Sequence, residues 1–543
     1  MSRMVCFPEI MNRRSFLSTI AAAAHPTARA QPHRPNILLI MADDMGFSDL
    51  GCYGGEISTP NIDALAKRGV RFRQFYNTAR CCPTRASLMT GLYAHQAGVG
   101  HMVDTPKPWT AYKGDLSPNS VTIAEALKPA GYRTYMSGKW HVTPVNDSKH
   151  NWPRQRGFDR FFGTIHGAGS FFDPVTLTRD NEPIQAGKDF YYTDAIADNA
   201  AACIRDHASA NADAPFFLYC AFTSPHWPLH ALANDIAKYK GRYEQGWDAL
   251  RAERRQRMIQ MGIVDKRWPI TPRDPSVPAW ADAPNKEWQE RRMEVYAAQV
   301  DRMDQGIGRI VAELKHNGAF DNTLILFLAD NGGCAEELGP NGRGRHFPQQ
   351  RRDGGPVALG NDPSRMPGGE DTYQSYGTPW ANASNTPFRL YKHWVHEGGI
   401  STPFIAHWPG QMREGRMTDS PGHLVDVMAT CCDVGGAKYP ETRVGEPVTP
   451  AEGTSLTPAF SGRRLPEREI YWEHEGNRAI RAGDWKLVSR HPGTWELYNM
   501  PADRTELRDL SGSEPGRVAA MTAKWDAWAK RVGVEDWEKV RRG

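Results

Sequence analysis

Short, continuously apolar segments constrain the fold of this 543-residue chain more than any other feature. The clearest is residues 36–42, and similar runs recur at residues 216–222 and 323–329. Shorter candidates lie at residues 133–136 and 403–406. An apolar run of this length without polar alternation is typical of a strand buried on both faces of a parallel sheet.

Helical patterns lie between these runs. Apolar residues from Met293 to Leu314 recur at spacings of three and four, and the pattern ends at Asn317-Gly318, a plausible left-handed cap. Strands that alternate with helices predict an α/β fold with helices on both faces of the sheet. Residues 334–386 are rich in Gly, Pro, Asn and Arg without periodicity, so we expect a long irregular segment, which is usually functional.

The pattern changes beyond about residue 440. Short strand-like runs there predict a small antiparallel sheet, and a final helix is expected at residues 514–530. The four runs are residues 469–472, 477–481, 485–489 and 496–498. We therefore expect a large domain at residues 31–440 and a small C-terminal α+β domain at residues 441–543.

The first 30 residues are typical of an export signal. Arg13-Arg14 precedes an apolar run through Ala24, and Ala28-Arg29-Ala30 offers a small-residue cleavage site. This resembles a twin-arginine signal and predicts a periplasmic protein that begins near Gln31. The alternative is a frayed basic N-terminus. Because no other segment has the ~20 consecutive apolar residues that a bilayer span needs, we expect no transmembrane segment.

Charge and cysteine usage exclude two further classes. The net charge of +4 is too small to indicate a nucleic-acid partner. Nine cysteines are an odd number, and two adjacent pairs, Cys81-Cys82 and Cys431-Cys432, are unlike a disulfide framework. We expect free, buried thiols.

Acidic and amide side chains follow two of the expected strands. Asp43-Asp44 ends the first strand and Asp330-Asn331 ends another. Either pair alone could be a helix cap or a tight turn. Together they place four oxygen-bearing side chains at carboxyl strand ends, where open α/β sheets have their sites. An all-oxygen set favours a hard cation such as calcium or magnesium over zinc.

Residues 81–91 resemble the signature of the sulfatase family, in which a cysteine is followed by proline at the second position and arginine at the fourth. Only Cys81 has this register, with Pro83 and Arg85, so Cys82 is expected to be a bystander. The resemblance implies that a formylglycine-generating enzyme oxidises Cys81 to formylglycine, which hydrates to a diol. A helix that begins just after Cys81 would direct N–H groups and its positive dipole end at the site.

Three more segments resemble the same family in the same order along the chain. They contribute Lys139 and His141 after one strand, His226 after another, and Lys392 shortly before Glu397. The resemblance implies an alkaline-phosphatase-like fold, with a large mixed, mostly parallel sheet between helices. It also implies a metal site, with calcium favoured and magnesium or manganese possible, that is formed by Asp43, Asp44, Cys81, Asp330 and Asn331.

The resemblance further implies an arylsulfatase-like hydrolase of small-molecule or carbohydrate sulfate esters. A hydroxyl of the residue-81 diol would attack sulfur near Arg85, while Lys139 and Lys392 offset charge on the sulfate. His226 would assist the leaving oxygen, and His141 would take a proton from the second hydroxyl. The alternatives are a phosphonate monoester or phosphodiester hydrolase of the same superfamily, and a catalytically silent binding relative.

Overall fold

The structure, a computed structural model, describes residues 34–146, 148–412 and 415–543. Residues Arg34–Gly543 belong to one compact unit. The expected signal, residues 1–30, lies outside the described residues. In the part of the chain that is described, no helix combines the length and the apolar character that a membrane crossing requires.

The bounds of the regular elements are as follows. The described strands are β1 (Asn36–Ala42), β2 (Val70–Phe72), β3 (Phe75–Tyr76), β4 (Arg133–Lys139), β5 (Arg160–Thr164), β6 (Leu177–Arg179), β7 (Glu182–Pro183), β8 (Phe216–Ala221), β9 (Thr323–Ala329), β10 (Ala358–Leu359), β11 (Thr372–Tyr373), β12 (Phe404–His407), β13 (Arg416–Thr418), β14 (Gly422–His423), β15 (Thr442–Arg443), β16 (Glu446–Pro447), β17 (Glu469–His474), β18 (Asn477–Ala482), β19 (Trp485–Ser489) and β20 (Glu496–Asn499). The described α-helices are α1 (Pro60–Lys67), α2 (Cys81–Thr90), α3 (Ile123–Leu127), α4 (Tyr192–Ala210), α5 (Ala233–Ala237), α6 (Gly246–Gln260), α7 (Lys286–His316), α8 (Gly377–Ser384), α9 (Glu397–Ile400), α10 (Val425–Gly435), α11 (Thr457–Phe460), α12 (Pro515–Val532) and α13 (Trp537–Arg542).

A ten-stranded sheet in the order β13-β2-β12-β9-β1-β8-β4-β5-β6-β7 forms the centre of the fold. Its five central strands, from β9 to β5, are parallel to one another. Antiparallel pairing begins on either side of them, at β12 and at β6. The predicted mixed, mostly parallel α/β sheet is therefore confirmed.

The apolar run of β1 is continuous because both faces of the sheet are covered. Leu38 and Ile40 contribute to one hydrophobic core, in which α7 packs, whereas Leu39 and Met41 contribute to a second core on the opposite face, in which α2 packs. Alternate side chains of a strand point to opposite faces, so the fully buried residues 37–42 are all apolar. The sheet thereby fixes the positions of the strand ends and of the residues that follow them.

The expected small antiparallel sheet is present near the C-terminus, in the order β17-β18-β19-β20. One face contributes Trp472 and Val488 to a core shared with Tyr76 of β3, and the other face packs against Trp525 and Trp528 of α12. The sequence pattern did not predict α13, because this six-residue helix has only Val540 buried and shows no apolar stripe. The domain boundary near residue 440 stays a prediction.

The segment at residues 334–386 is mostly irregular, as expected, but it includes β10, β11 and the helix α8. The prediction missed α8 because this helix has no polar face. Six of its eight residues are buried, including Trp380, Asn382 and Ser384, so the usual amphipathic period is lost.

Candidate active site

Two adjacent parallel strands bring four predicted metal ligands together. The last residues of β1 and β9 lie opposite each other, so the residues after each strand start at the same level. The Asp44 backbone N–H donates a hydrogen bond of 3.1 Å to Asp330 Oδ1. Asn331 Nδ2 donates one of 2.6 Å to Asp44 Oδ1. These side chains and that of Asp43 are buried.

Three buried cations surround the three carboxylates, one for each. The distances are 2.6 Å from Lys139 Nζ to Asp43 Oδ2, 2.7 Å from Arg85 Nη2 to Asp330 Oδ2, and 2.9 Å from Lys392 Nζ to Asp44 Oδ2. A buried charge without a partner is costly, so this matching is what allows so many ionisable groups at one point of the interior.

The two adjacent aspartates differ in acidity. Burial raises the pKa of Asp43 well above its usual value, and Asp330 adds to the rise, although Lys139 and Arg85 oppose it. Burial also acts on Asp44, but His226 and Lys392 outweigh it and lower its pKa. Burial and the Asp330 carboxylate therefore outweigh the two neighbouring cations at Asp43, and a further cation would lower its pKa.

The residues at the strand ends fit a divalent cation. Asp43 Oδ1 and Asn331 Oδ1 are both buried and have no hydrogen-bond partner among the described residues. Buried acceptors are nearly always paired, and a cation bound between these two oxygens would pair both of them. Because the available donors are carboxylate and amide oxygens, the set suits a hard cation.

Cys81 is the first residue of α2, so the helix begins one residue earlier than the sequence predicted. All ten residues of this helix are buried, and Gly91 ends it in the left-handed region, with φ 69°. A hydrogen bond from Cys82 lowers the pKa of Cys81 well below the usual thiol value; burial opposes this, and Lys139 and His141 reinforce it. The free N–H groups at this helix end add further stabilisation of negative charge.

His141 lies against both cysteines. Its Nε2 is 3.2 Å from the Sγ of Cys82, and Cys81, Cys82 and His141 have ligand atoms within 4.8 Å of one another. Burial lowers the pKa of His141 to about 4, so the ring is neutral at pH 7 and can accept a proton. A side chain at Gly167 would place its Cβ 2.0 Å from the ring, so a glycine is required there. Cys82, expected to be a bystander, is a direct neighbour of His141.

His226 also contacts the carboxylate cluster, at Asp44. Its Nε2 lies 3.3 Å from both Asp44 Oδ2 and Lys392 Nζ, while Nδ1 is 2.6 Å from the backbone oxygen of Trp227. The carbonyl fixes the proton on Nδ1 and leaves Nε2 directed at the site. Burial lowers the pKa of His226 to about 4.

Glu336 belongs to the same network and was not predicted. Its carboxylate lies 2.9 Å from Arg80 and 4.0 Å from Lys392, and it accepts a hydrogen bond of 2.7 Å from Trp227 Nε1. It lies in the irregular segment after β9, where sequence pattern carries no positional information. Its pKa is lowered despite burial because Lys392 and Arg80 are close.

A cavity of about 840 Å³ opens beside this cluster. Lys392, Trp394, Arg490 and Glu336 contribute to its lining. It is large enough for a substrate group such as a ring or a sugar unit.

The structure gathers all ten predicted site residues into one buried cluster. These are Asp43, Asp44, Cys81, Arg85, Lys139, His141, His226, Asp330, Asn331 and Lys392. Their chemical roles stay predictions.

Comparison with known proteins identifies the class. The model of the sulfatase family matches residues 35–437, and the chain therefore belongs to the sulfatase family. It is similar to an arylsulfatase from Klebsiella aerogenes, with 34% identity over 82% of this chain and 97% of the relative. A steryl-sulfatase from Mus musculus is 29% identical over 89% of this chain and 73% of the relative. The chain is accordingly a sulfuric ester hydrolase, of a family that generally uses a formylglycine and a divalent metal.

Solved structures share the fold. Ps i-CgsB, solved in complex with k-i-k-neocarrahexaose, superposes with a TM-score of 0.65 and 25% identity over 91% of this chain and 93% of that one. A protein solved with its substrate D-glucosamine-2-N,6-O-disulfate superposes with a TM-score of 0.61 and 20% identity, over 93% of this chain and 99% of that one.

Proposed function

We propose that this protein hydrolyses sulfate monoesters in the manner of an arylsulfatase, with a formylglycine derived from Cys81 as nucleophile and calcium at the strand-end oxygens. The observation that carries this proposal is the position of Cys81. It begins a buried helix, its thiol has a lowered pKa, and the neutral ring of His141 lies within reach.

Each surrounding side chain has a role that its contacts support. Arg85 holds Asp330 in place, and Lys139 and Lys392 carry positive charge to the point where sulfate oxygens would lie. His226, with Nε2 facing the site, would take up a proton at Nε2 when the anionic ester binds and give it to the leaving oxygen. His141 takes a proton from the second hydroxyl at residue 81. A bound calcium ion would offset the carboxylate charge and polarise a sulfate oxygen.

Two measurements test the nucleophile and the metal. Mass analysis of the peptide that contains residue 81, from the native host, should show formylglycine in place of cysteine. Chelation should abolish turnover of nitrophenyl sulfate, and calcium, magnesium or manganese should restore it better than zinc. An unmodified thiol in the native protein, or full activity with no metal detected, contradicts the proposal. The thiol after expression in a foreign host would show only that the maturation enzyme was missing.

The same assay distinguishes the phosphoryl alternative. Nitrophenyl sulfate should be turned over with a higher kcat/KM than a matching phosphodiester or phosphonate monoester. The opposite order would make the protein a phosphonate or phosphodiester hydrolase. Inactivity toward all three, with formylglycine present, would favour a silent binding relative.

We also propose small-molecule or carbohydrate sulfate esters as substrates and the periplasm as the location. The cavity lined by Trp394 and Arg490 supports a ring-bearing substrate, and a panel of sulfated aryl, sugar and choline esters would rank the classes. Replacement of Arg13 and Arg14 by lysine should retain the precursor in the cytoplasm. Normal periplasmic levels of that variant would exclude twin-arginine export.

A further inference from the structure

A second group of metal-binding side chains lies outside the sulfatase site. His101, His474 and Glu475 offer ligand atoms that all fall within 4.8 Å of one another. Glu475 Oε1 is 3.3 Å from His101 Nδ1 and 3.6 Å from His474 Nε2. His474 ends the strand β17 and Glu475 follows it in the turn, whereas His101 comes from a loop more than 370 residues earlier in the chain.

These separations are those of co-ligands rather than hydrogen-bond partners. Ligand atoms bound to zinc at about 2.1 Å in a tetrahedron lie about 3.4 Å apart, close to both distances. Neither contact has hydrogen-bond geometry. Within the described residues, both ring nitrogens of His474 and Nδ1 of His101 have no hydrogen-bond partner.

The absence of hydrogen-bond partners is unusual for His474 because its side chain is buried. Its side chain is fully buried, so two unpaired nitrogens are unfavourable unless a ligand pairs with them. In its neutral form each of these two rings has one nitrogen lone pair that can bind a metal ion.

The backbone at Glu475 supports a built site. Glu475 and Gly476 form the two-residue turn between β17 and β18, and both have positive φ, 51° and 80°. Such turns favour asparagine or aspartate at the first position, and glutamate carries a steric cost there. The turn places the carboxylate between the two histidines.

His393 holds the Glu475 carboxylate through its second oxygen. Its Nδ1 donates a hydrogen bond of 2.9 Å to Glu475 Oε2, and its Nε2 accepts one of 3.4 Å from Asn477. His393 has a left-handed backbone as well, with φ 94°. Metal-bound carboxylates are typically held by such partners, which orient them.

We propose that His101, His474 and Glu475 bind one zinc ion, with His393 as the positioning residue for Glu475. Nitrogen-rich sets of this kind select zinc, whereas the all-oxygen set of the sulfatase site selects calcium. The ion would fasten the β17–β18 turn to the loop that contains His101. This inference does not depend on the proposed sulfatase mechanism.

Zinc titration of the full-length protein in excess calcium tests the proposal, because calcium fills the oxygen site first. One equivalent of zinc should bind the wild-type protein, as measured by calorimetry and by elemental analysis after dialysis. Cobalt in place of zinc should give the visible absorption of a tetrahedral ion. Failure of the wild-type protein to take up zinc overturns the proposal.

Matched variants assign the ion to these residues. His101→Gln and Glu475→Gln should each lower zinc affinity at least 100-fold, and His393→Gln should lower it about 10–100-fold. His316→Gln, at an exposed histidine at the end of α7, should leave it unchanged. Zinc should raise the melting temperature of the wild-type protein but not of the Glu475→Gln variant. This variant is used because it preserves the length of the turn, whereas variants of the buried His474 could fail to fold. Equal affinity in wild type and Glu475→Gln would overturn the assignment, and zinc would then belong to Cys82 and His141.

Discussion

Adjacent cysteines at the start of α2 differ in acidity because their surroundings differ. Hydrogen bonding from Cys82, with Lys139 and His141 nearby, lowers the pKa of Cys81. Burial raises the pKa of Cys82 well above the usual thiol value, and the hydrogen bond to Cys81 raises it further. The thiol of Cys81 is therefore the more acidic of the two, which agrees with the register of the sequence signature.

The proposed role of a second hydroxyl at residue 81 can be tested with Cys81→Ser. Serine supplies the attacking oxygen but not the hydroxyl whose collapse would expel sulfate, so the variant should bind about one sulfo group per chain and stall. Mass analysis of the residue-81 peptide after incubation with substrate would detect it.

The control makes the same change one residue later. Cys82→Ser should continue to turn over many substrate molecules, since it leaves residue 81 intact. Sustained turnover by Cys81→Ser at wild-type rates would show instead that water completes the reaction.

His226 should matter most for substrates with poor leaving groups. Its Nε2 faces the site, and loss of proton assistance typically costs about 10²–10⁴-fold in rate. His226→Ala should therefore lower kcat/KM by about that factor for alkyl sulfates and far less for nitrophenyl sulfate. A linear free-energy plot of rate against leaving-group pKa would show a steeper slope for the variant. Equal losses across the series would assign His226 to binding.

Individual site residues could be predicted from the sequence because they directly follow strands or begin a helix. Asp43, Cys81 and Asp330 each occupy such a position. Glu336 could not be predicted, since it lies in an irregular segment and contacts groups that are distant in sequence. The contact between Cys82 and His141 also depends on tertiary packing that no spacing encodes.

A buried ionic cluster connects the small antiparallel sheet to helix α9. Lys486 of β19 lies 2.9 Å from Glu397 at the start of α9 and 2.7 Å from Glu506, and Arg504 also binds Glu397. All four side chains are fully buried. Sequence pattern did not indicate this cluster, because a lysine in a polar-apolar alternation looks solvent-facing.

Removal of one member of this cluster should destabilise the protein. Lys486→Met leaves Glu506 buried beside an apolar side chain, which should lower the free energy of unfolding by about 3–5 kcal/mol. Denaturant unfolding, followed by tryptophan fluorescence, measures this.

A surface pair offers the matched comparison. Lys524 of α12 lies 2.8 Å from Glu469, and both side chains are exposed. Lys524→Met should cost less than about 1 kcal/mol. If the two variants lost the same stability, the buried cluster would contribute no more than a surface ion pair.

The whole molecule contains several buried, neutral histidines, and these should make it sensitive to acid. His230 is an example outside the active site: burial lowers its pKa from 6.5 to about 4, and a hydrogen bond to the Thr372 backbone oxygen only partly compensates. Below pH 6.5 the unfolded chain takes up a proton that the folded chain does not, so stability falls as pH falls toward 4. At pH 5 this histidine alone should cost about 2 kcal/mol relative to pH 7.

His230→Gln should reduce that loss by about 2 kcal/mol, since glutamine can still donate to Thr372 but does not titrate. Unfolding free energies at pH 7, 6 and 5 for both proteins would measure the difference. The exposed His316→Gln variant should keep the wild-type pH dependence. An identical pH dependence in the His230→Gln variant would mean that this histidine protonates without unfolding.

The residue-by-residue pairing of β1 with β9 has a consequence for how this chain can vary. Ile37 lies opposite Leu324, and the match continues without a bulge to the last residue of each strand. Exchange of one aliphatic residue for another inside these strands leaves the following carboxylates in place. Deletion of a single residue from either strand would withdraw its carboxylate by about 3.3 Å and turn it to the other face of the sheet. Strand length, far more than strand composition, is therefore what insertions and deletions in this chain must preserve.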